Sequence, residues 1–193
     1  MDLMKNKLTQ EYLKEALHYD PETGIFTWNE RPESHFKNYG RYLSWNDRFS
    51  NKTIGCFDEG YLKTSIDNKL YRLQRLAWLY MEGYLPEHQV DHMDRNKANN
   101  KWENLREVSA ICNAQNCNMK KNNKSGVTGV CFVKNLNKWR AAICINHKSK
   151  YLGIFDNFDD AVRVRYNEEL DNPEWTCSID SSALKYLQEK GEI

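Results

Sequence analysis

Asp91 beside His92, followed by Asn104 and Asn113, are residue types that phosphodiester hydrolysis can use. That reaction takes a base to activate water and a cation to hold the phosphate and steady the leaving oxygen. A neutral imidazole suits the first task near pH 7. Magnesium suits the second: it takes oxygen ligands, keeps most of its waters and needs only one or two protein groups. A carboxylate and an amide oxygen would supply those.

The surrounding pattern predicts the elements that position these side chains. An extended piece over 87–93 ends in Asp91-His92, and a polar loop follows over 94–101. A short strand is expected around Asn104-Leu105-Arg106, and Ser109 is a good N-cap for the helix after it. In such a ββα unit the end of the first strand, the second strand and the start of the helix converge. Asp91 and Asn113 would then face one cation, and Asn104, opposite His92, would fix the imidazole's orientation and tautomer. The plain alternative is that Asp91 caps a turn, His92 lies on the surface and the Asn residues stabilise loops.

The rest of the chain bounds the setting. Its 193 residues suggest one large domain or two to three small ones. The net charge of +1 gives no global polyanion signal. No apolar run is long enough to span a membrane, and the N-terminus lacks the apolar core of a signal peptide. The six cysteines read as reduced thiols of a cytoplasmic protein, since no Cys-x-x-Cys pair suggests zinc.

Helical periodicity appears over 8–18, with Thr9 as N-cap; Pro21–Gly24 reads as a turn before a short strand. Residues 30–50 read as irregular. Within 51–75 a strand, a turn and a strand are expected, with Asp67-Asn68 at the turn, and then a short helix that stops at Gly83. Three runs of period-2 alternation over 126–155 predict an antiparallel meander. Asn157 caps a helix after it, with Asp159 and Asp160 in the first turn, where the helix dipole favours them. One more short helix is expected in the tail.

In the central run, period 2 places Trp139, Ala141, Ile143 and Ile145 toward the helix and Lys138, Arg140, Ala142 and Cys144 outward. Between Ala114 and Phe155 stand eight Lys or Arg and no Asp or Glu. That is a local polyanion footprint hidden by the near-neutral total.

The segment "YRLQRLAWLYMEGYLPEHQVDHMDRNKANNKWENLREVSAICNAQN" resembles the HNH endonuclease family, in its phage and intron-encoded homing branch. The resemblance covers about residues 70–118 and rests on the Arg-Leu helix, Asp-His, the Asn-rich loop, Glu-Asn-Leu-Arg and Asn-x-Gln-Asn. It implies His92 as general base, Asn104 as its orienting partner, and Asp91 and Asn113 as ligands of one Mg²⁺ or Mn²⁺ per site. Asn113 stands where many relatives have His, which favours a hard cation over zinc. Gln74 stands where relatives often have His before Arg-Leu, on a helix that is scaffold in the family.

A second stretch, "SGVTGVCFVKNLNKWRAAICINHKSKYLGIFDNFDDAVRVRYNEEL", is similar to the AP2 domain, a three-stranded sheet backed by one helix. That family lays its sheet in the major groove of DNA. The resemblance implies Arg140 as a base contact, since guanine accepts a bidentate Arg. Lys134, Lys138, Lys148 and Lys150 are implied as phosphate contacts, and Tyr151 as a sugar or backbone contact. Cys131 and Cys144 stand where plant-type members often carry Arg, so loose site discrimination is expected. Lys120, Lys121 and Lys124 belong to a linker that either crosses the minor groove or is a flexible tether.

These readings give an α+β chain. Residues 1–69 form a scaffold of a helix and antiparallel strands, whose Arg41, Arg48, Lys52, Lys63 and Lys69 either make a further DNA face or are simply solvated. Residues 70–118 form the ββα-metal unit, 119–125 the linker, 126–171 the AP2-like domain and 172–193 a tail with a helix. The expected activity is that of a site-recognising, metal-dependent homing endonuclease of phage type, acting as a monomer on double-stranded DNA. It would nick one strand per visit, over a footprint on the order of 20 base pairs. The alternatives are a DNA-binding regulator on an inactive HNH scaffold and a low-specificity phage nuclease.

Overall fold

The computed structural model describes residues 8–116, 119, 121–146, 148–173, 175 and 181–193. The chain divides into two compact units, Met1–Glu107 and Val108–Ile193, each α+β with small antiparallel sheets.

In the first unit α1 (Gln10–Ala16) is capped by Thr9, whose hydroxyl accepts from the Tyr12 N–H. The helix ends two residues earlier than periodicity suggests, because Leu17 begins a strand. That strand, β1 (Leu17–Asp20), pairs antiparallel with β2 (Ile25–Trp28). The turn between them is knotted by the Asp20 carboxylate, which accepts from the Glu22 and Thr23 N–H groups and the Thr23 hydroxyl.

Residues 30–50 are not irregular. A 3₁₀ turn at Glu33–His35 leads to α2 (Tyr39–Phe49), capped by Asn38. This helix is aromatic and polar rather than aliphatic, so its periodic signal is weak. What fixes it is tertiary: Trp45 and Phe49 pack on the core, and the buried Asn46 amide bonds both the N–H and the carbonyl of Arg31. The Arg31 side chain is itself 4 % exposed. It lies among the rings of Tyr12, Trp28, Phe36 and Trp45 and donates to Asp67, which meets the requirement that a buried charge be paired.

Strands β3 (Cys56–Asp58), β4 (Tyr61–Ile66) and β5 (Lys69–Arg72) form an antiparallel sheet in sequence order. Asp67 and Asn68 both adopt positive φ, as a two-residue hairpin turn requires. The helix α3 (Leu73–Glu82) follows at once and buries Leu73, Gln74, Leu76, Ala77 and Leu79. Then β6 (Gln89–His92) pairs with β7 (Leu105–Val108). One core joins these elements, centred on Leu13, Leu17, Tyr19, Phe26, Leu73 and Leu76.

The second unit opens with α4 (Ala110–Gln115), where Ser109 caps by accepting from the Cys112 N–H. Strands β8 (Val130–Val133), β9 (Lys138–Ile145) and β10 (Lys148–Phe155) make an antiparallel meander with β9 central. Helix α5 (Phe158–Asp171) and helix α6 (Ser182–Glu189) pack with it around Val127, Val130, Ala141, Ala161, Val162, Ala183 and Leu187. A Cβ at Gly129 would lie 2.3 Å from the Ala142 carbonyl oxygen and 2.8 Å from Arg165 Nε, so only glycine fits there. Cys56, Cys131 and Cys144 are free and exposed. Cys112 is disulfide-bonded, which corrects the reading of six thiols; spacing in the chain does not reveal which Cα atoms approach to bonding range.

Candidate functional site

His92 is the last residue of β6, and that strand departs from simple alternation: Val90, Asp91 and His92 are all buried. The residue is only 3 % exposed. Its Nε2 lies 3.1 Å from Asn100 Oδ1. An amide oxygen only accepts, so Nε2 carries the ring proton and Nδ1 is the basic nitrogen. Burial is the largest influence on this imidazole and holds its pKa below the ordinary value, against the Asn100 hydrogen bond and the charges of Asp94 and Asp91. The ring is therefore neutral at pH 7.

Asp91 is 7 % exposed. Arg106 on β7 donates to its Oδ2 from Nη2 at 2.9 Å and from Nε at 3.1 Å. A nearly buried carboxylate is a donor of the kind a hard cation takes, so the residue fits Mg²⁺ or Mn²⁺, which would share this carboxylate with the guanidinium. Among the described residues no three His, Cys, Asp or Glu converge as a metal cluster.

Asn104, expected at the imidazole, spends its side chain elsewhere. Its Oδ1 accepts from the Asp94 N–H at 2.9 Å, and its Nδ2 donates to Asp94 Oδ1 at 2.9 Å and to the Asn99 carbonyl at 2.8 Å. Its own carbonyl accepts from the Met93 N–H. Asn104 thus ties both ends of the Asn-rich loop together. The residue that meets the ring is Asn100, 1 % exposed, which sequence reasoning passed over as one of four Asn between His92 and Leu105.

Asn100 is held in turn by the β1–β2 hairpin. The Tyr19 hydroxyl donates to the Asn100 carbonyl at 2.7 Å, and burial keeps that phenol well above its usual pKa, so it stays a donor. The Trp102 N–H donates to the Pro21 carbonyl at 2.9 Å. Gly24 packs against the same peptide: a Cβ there would stand 2.5 Å from both Asn100 C and Lys101 N. No local pattern in the sequence could announce this, because about eighty residues separate the partners.

Asn113 lies on α4 in the second unit, half-buried, with its N–H bonded to the Ser109 carbonyl at 3.0 Å. The expected basic residues of that unit divide into three groups. Arg140, exposed, sits on β9 opposite Cys131 on one side and Ile154 on the other, all three exposed; Ala141 and Ile143 between the outward positions are buried, as alternation predicted. Lys121, Lys124, Lys134, Lys148 and Tyr151 are also exposed. Lys138 is paired with Asp156 at 2.9 Å. Lys150 pairs in register with the buried Ile143 and bonds Glu168 of α5 at 2.7 Å, which puts it on the helix side of the sheet, away from Arg140. Lys120 lies outside the described residues.

No helix of the described residues is long and apolar enough to cross a membrane. No curated protein and no solved structure matches the chain. Residues 71–115, the stretch that carries α3, the β6–β7 pair with His92 and its Asn-rich loop, and α4, match the family model of the HNH endonuclease, which supports a nuclease activity.

Proposed function

We propose that the protein is a divalent-metal-dependent DNA endonuclease of the HNH homing type. His92 is the general base, acting through Nδ1 on the attacking water. Asp91 and Asn113 hold one Mg²⁺ or Mn²⁺ ion, which supplies charge stabilisation for the phosphate when bound. Asn104 shapes the loop that carries the base. The observation that carries the reading is the locked, neutral, buried imidazole of His92 beside the Asp91 carboxylate, inside the segment that matches the HNH model.

The second unit's sheet is the recognition surface, in the manner of an AP2 domain, with Arg140 reading bases and Lys134 and Tyr151 on the backbone; Lys148, which pairs in register with Ile145 on the same side as Lys150, adds a phosphate contact from the edge strand rather than from Arg140's face. Lys121 and Lys124 add phosphate contacts from the preceding linker, and so does Lys120. Lys138 joins only by exchanging the carboxylate it now holds, and Lys150, on the helix side, would meet DNA only outside that face. One centre per chain makes nicking of double-stranded DNA by a monomer the direct product.

The test is supercoiled plasmid or phage DNA incubated with the protein and Mg²⁺, with and without EDTA. Metal-dependent nicked circles with ends at a preferred site support the reading. Binding without any cleavage would assign a DNA-binding protein on an inactive HNH scaffold, and random ends a nuclease of low specificity.

A further inference from the structure

Two cations bear on one aromatic ring beside His92. The ring centroid of Tyr61, at the start of β4, lies 6.1 Å from that of His92. The Arg72 guanidinium carbon stands 4.2 Å from the Tyr61 centroid, and Lys97 Nζ stands 4.4 Å from it. The three come from different elements: β4, the end of β5 where α3 begins, and the loop between β6 and β7.

The fold fixes this meeting. Arg72 pairs in register with Lys63, and Tyr61 stands two residues before Lys63, so period 2 puts all three on one face of the sheet. The opposite face carries Leu62, Ile66 and Tyr71 into the core. Lys97 is steered as well. Its stem passes Gly60 and its Nζ donates to the Glu59 carbonyl at 3.2 Å. Lys63 is paired with Asp58, but neither Arg72 nor Lys97 has a carboxylate partner among the described residues.

Like charges gathered at one ring repel, and the ring's quadrupole offsets only part of that, about 0.5–1 kcal/mol for each exposed contact. A polyanion that touches both relieves the rest. Nucleic acid does so while offering the half-buried tyrosine ring a sugar or base to contact. We propose that Tyr61, Arg72 and Lys97 form the seat for the substrate's backbone phosphates, next to the base that attacks. The seat rests on the reading of His92 as catalytic, and its tyrosine lies outside the segment that matches the HNH model.

The test uses the full chain and the double variant Arg72→Gln, Lys97→Gln. Glutamine keeps both stems, and Arg72 caps α3 through its backbone alone, so the fold is retained. Binding to a labelled random-sequence duplex is measured in EDTA across a salt series, and nicking of supercoiled plasmid is measured with Mg²⁺. Each lost phosphate contact lowers the slope of log K against log salt by about 0.9, so a drop of about 1.8 is expected, with KM raised roughly tenfold and kcat within about threefold. Arg72→Lys should restore its share of the slope, and Tyr61→Leu should weaken binding with the slope unchanged.

An unaltered slope in a folded double variant overturns the seat. If the wild type nicks DNA and the slope is unaltered, the seat alone fails. If the slope drops but the wild type never nicks, the seat stands and the nuclease reading fails. A wild type that binds no DNA overturns both.

Discussion

Asn100 Oδ1 sits 3.1 Å from His92 Nε2, and the backbone carbonyl of the same asparagine takes the hydrogen bond of Tyr19 from a hairpin far back in the chain. The His92 ring is thus set by a relay from the N-terminal scaffold, not by its own loop alone. Asn100→Ala should lower kcat about 10- to 100-fold with little change in KM, because the ring loses its orienting acceptor while the DNA contacts remain. Asn104→Ala should instead lower thermal stability by about 1–3 kcal/mol, since it strands the Asp94 N–H and the Asn99 carbonyl. Steady-state nicking kinetics and thermal melts separate the two; the opposite pairing of effects contradicts these roles.

The hairpin itself gives a second test. Gly24 has φ of 74° and no room for a methyl group against the Asn100–Lys101 peptide. Gly24→Ala should lower stability by about 2 kcal/mol or more and reduce kcat, because the peptide that must shift carries the orienting amide. Tyr19→Phe keeps the ring stacked on Phe26 and removes one hydrogen bond, about 1 kcal/mol. Melting curves with nicking rates at a temperature where both variants are folded would check this. A Gly24→Ala protein with wild-type melting and kcat contradicts the packing.

The pH profile follows from burial of His92. A base whose folded pKa lies below the unperturbed value of about 6.5 keeps its lone pair as pH falls past that point. Nicking should therefore be level from about pH 8 down to 6.5 and decline only in more acidic solution. The same linkage acts on stability: the unfolded chain takes up the proton first, so the stability from this neutral imidazole is full above about pH 6.5 and lost as pH falls from there toward the folded pKa. A rate that halves above pH 7 with a single protonation contradicts a buried neutral base.

On the meander, register separates two basic residues that look alike in the sequence. Arg140→Ala should weaken binding to the preferred site by about 1–3 kcal/mol and relax site choice, with chemistry on saturated DNA intact. Lys150→Ala should change affinity much less, because its ammonium is engaged by Glu168 on the helix side. Footprinting and competition with random DNA provide the check; equal losses for both contradict the assignment of faces.

What the sequence reveals here is what short-range periodicity and capping control. Ser109, Thr9 and Asn157 cap helices through their side chains, and the outward Arg140 and inward Ile143 follow from period 2. Asp91 and His92 stand out in the sequence because they adjoin, and both are buried at the end of β6. The helix α2 was not, because aromatic packing and the Asn46–Arg31 bonds fix it rather than an aliphatic stripe. Asn100 was not, because its importance comes from Tyr19 and Gly24, which meet it only after folding. Tyr61, Arg72 and Lys97 stayed hidden for the same reason: strand register and a loop bring them to one ring.

The most direct measurement is the nicking of supercoiled plasmid by His92→Ala beside the wild type, with DNA affinity measured in parallel in EDTA. Loss of nicking by at least about 100-fold with affinity within about twofold is the expected result, since a base is removed and no phosphate contact is. Nicking that survives the substitution, or that falls only in step with affinity, would contradict the account.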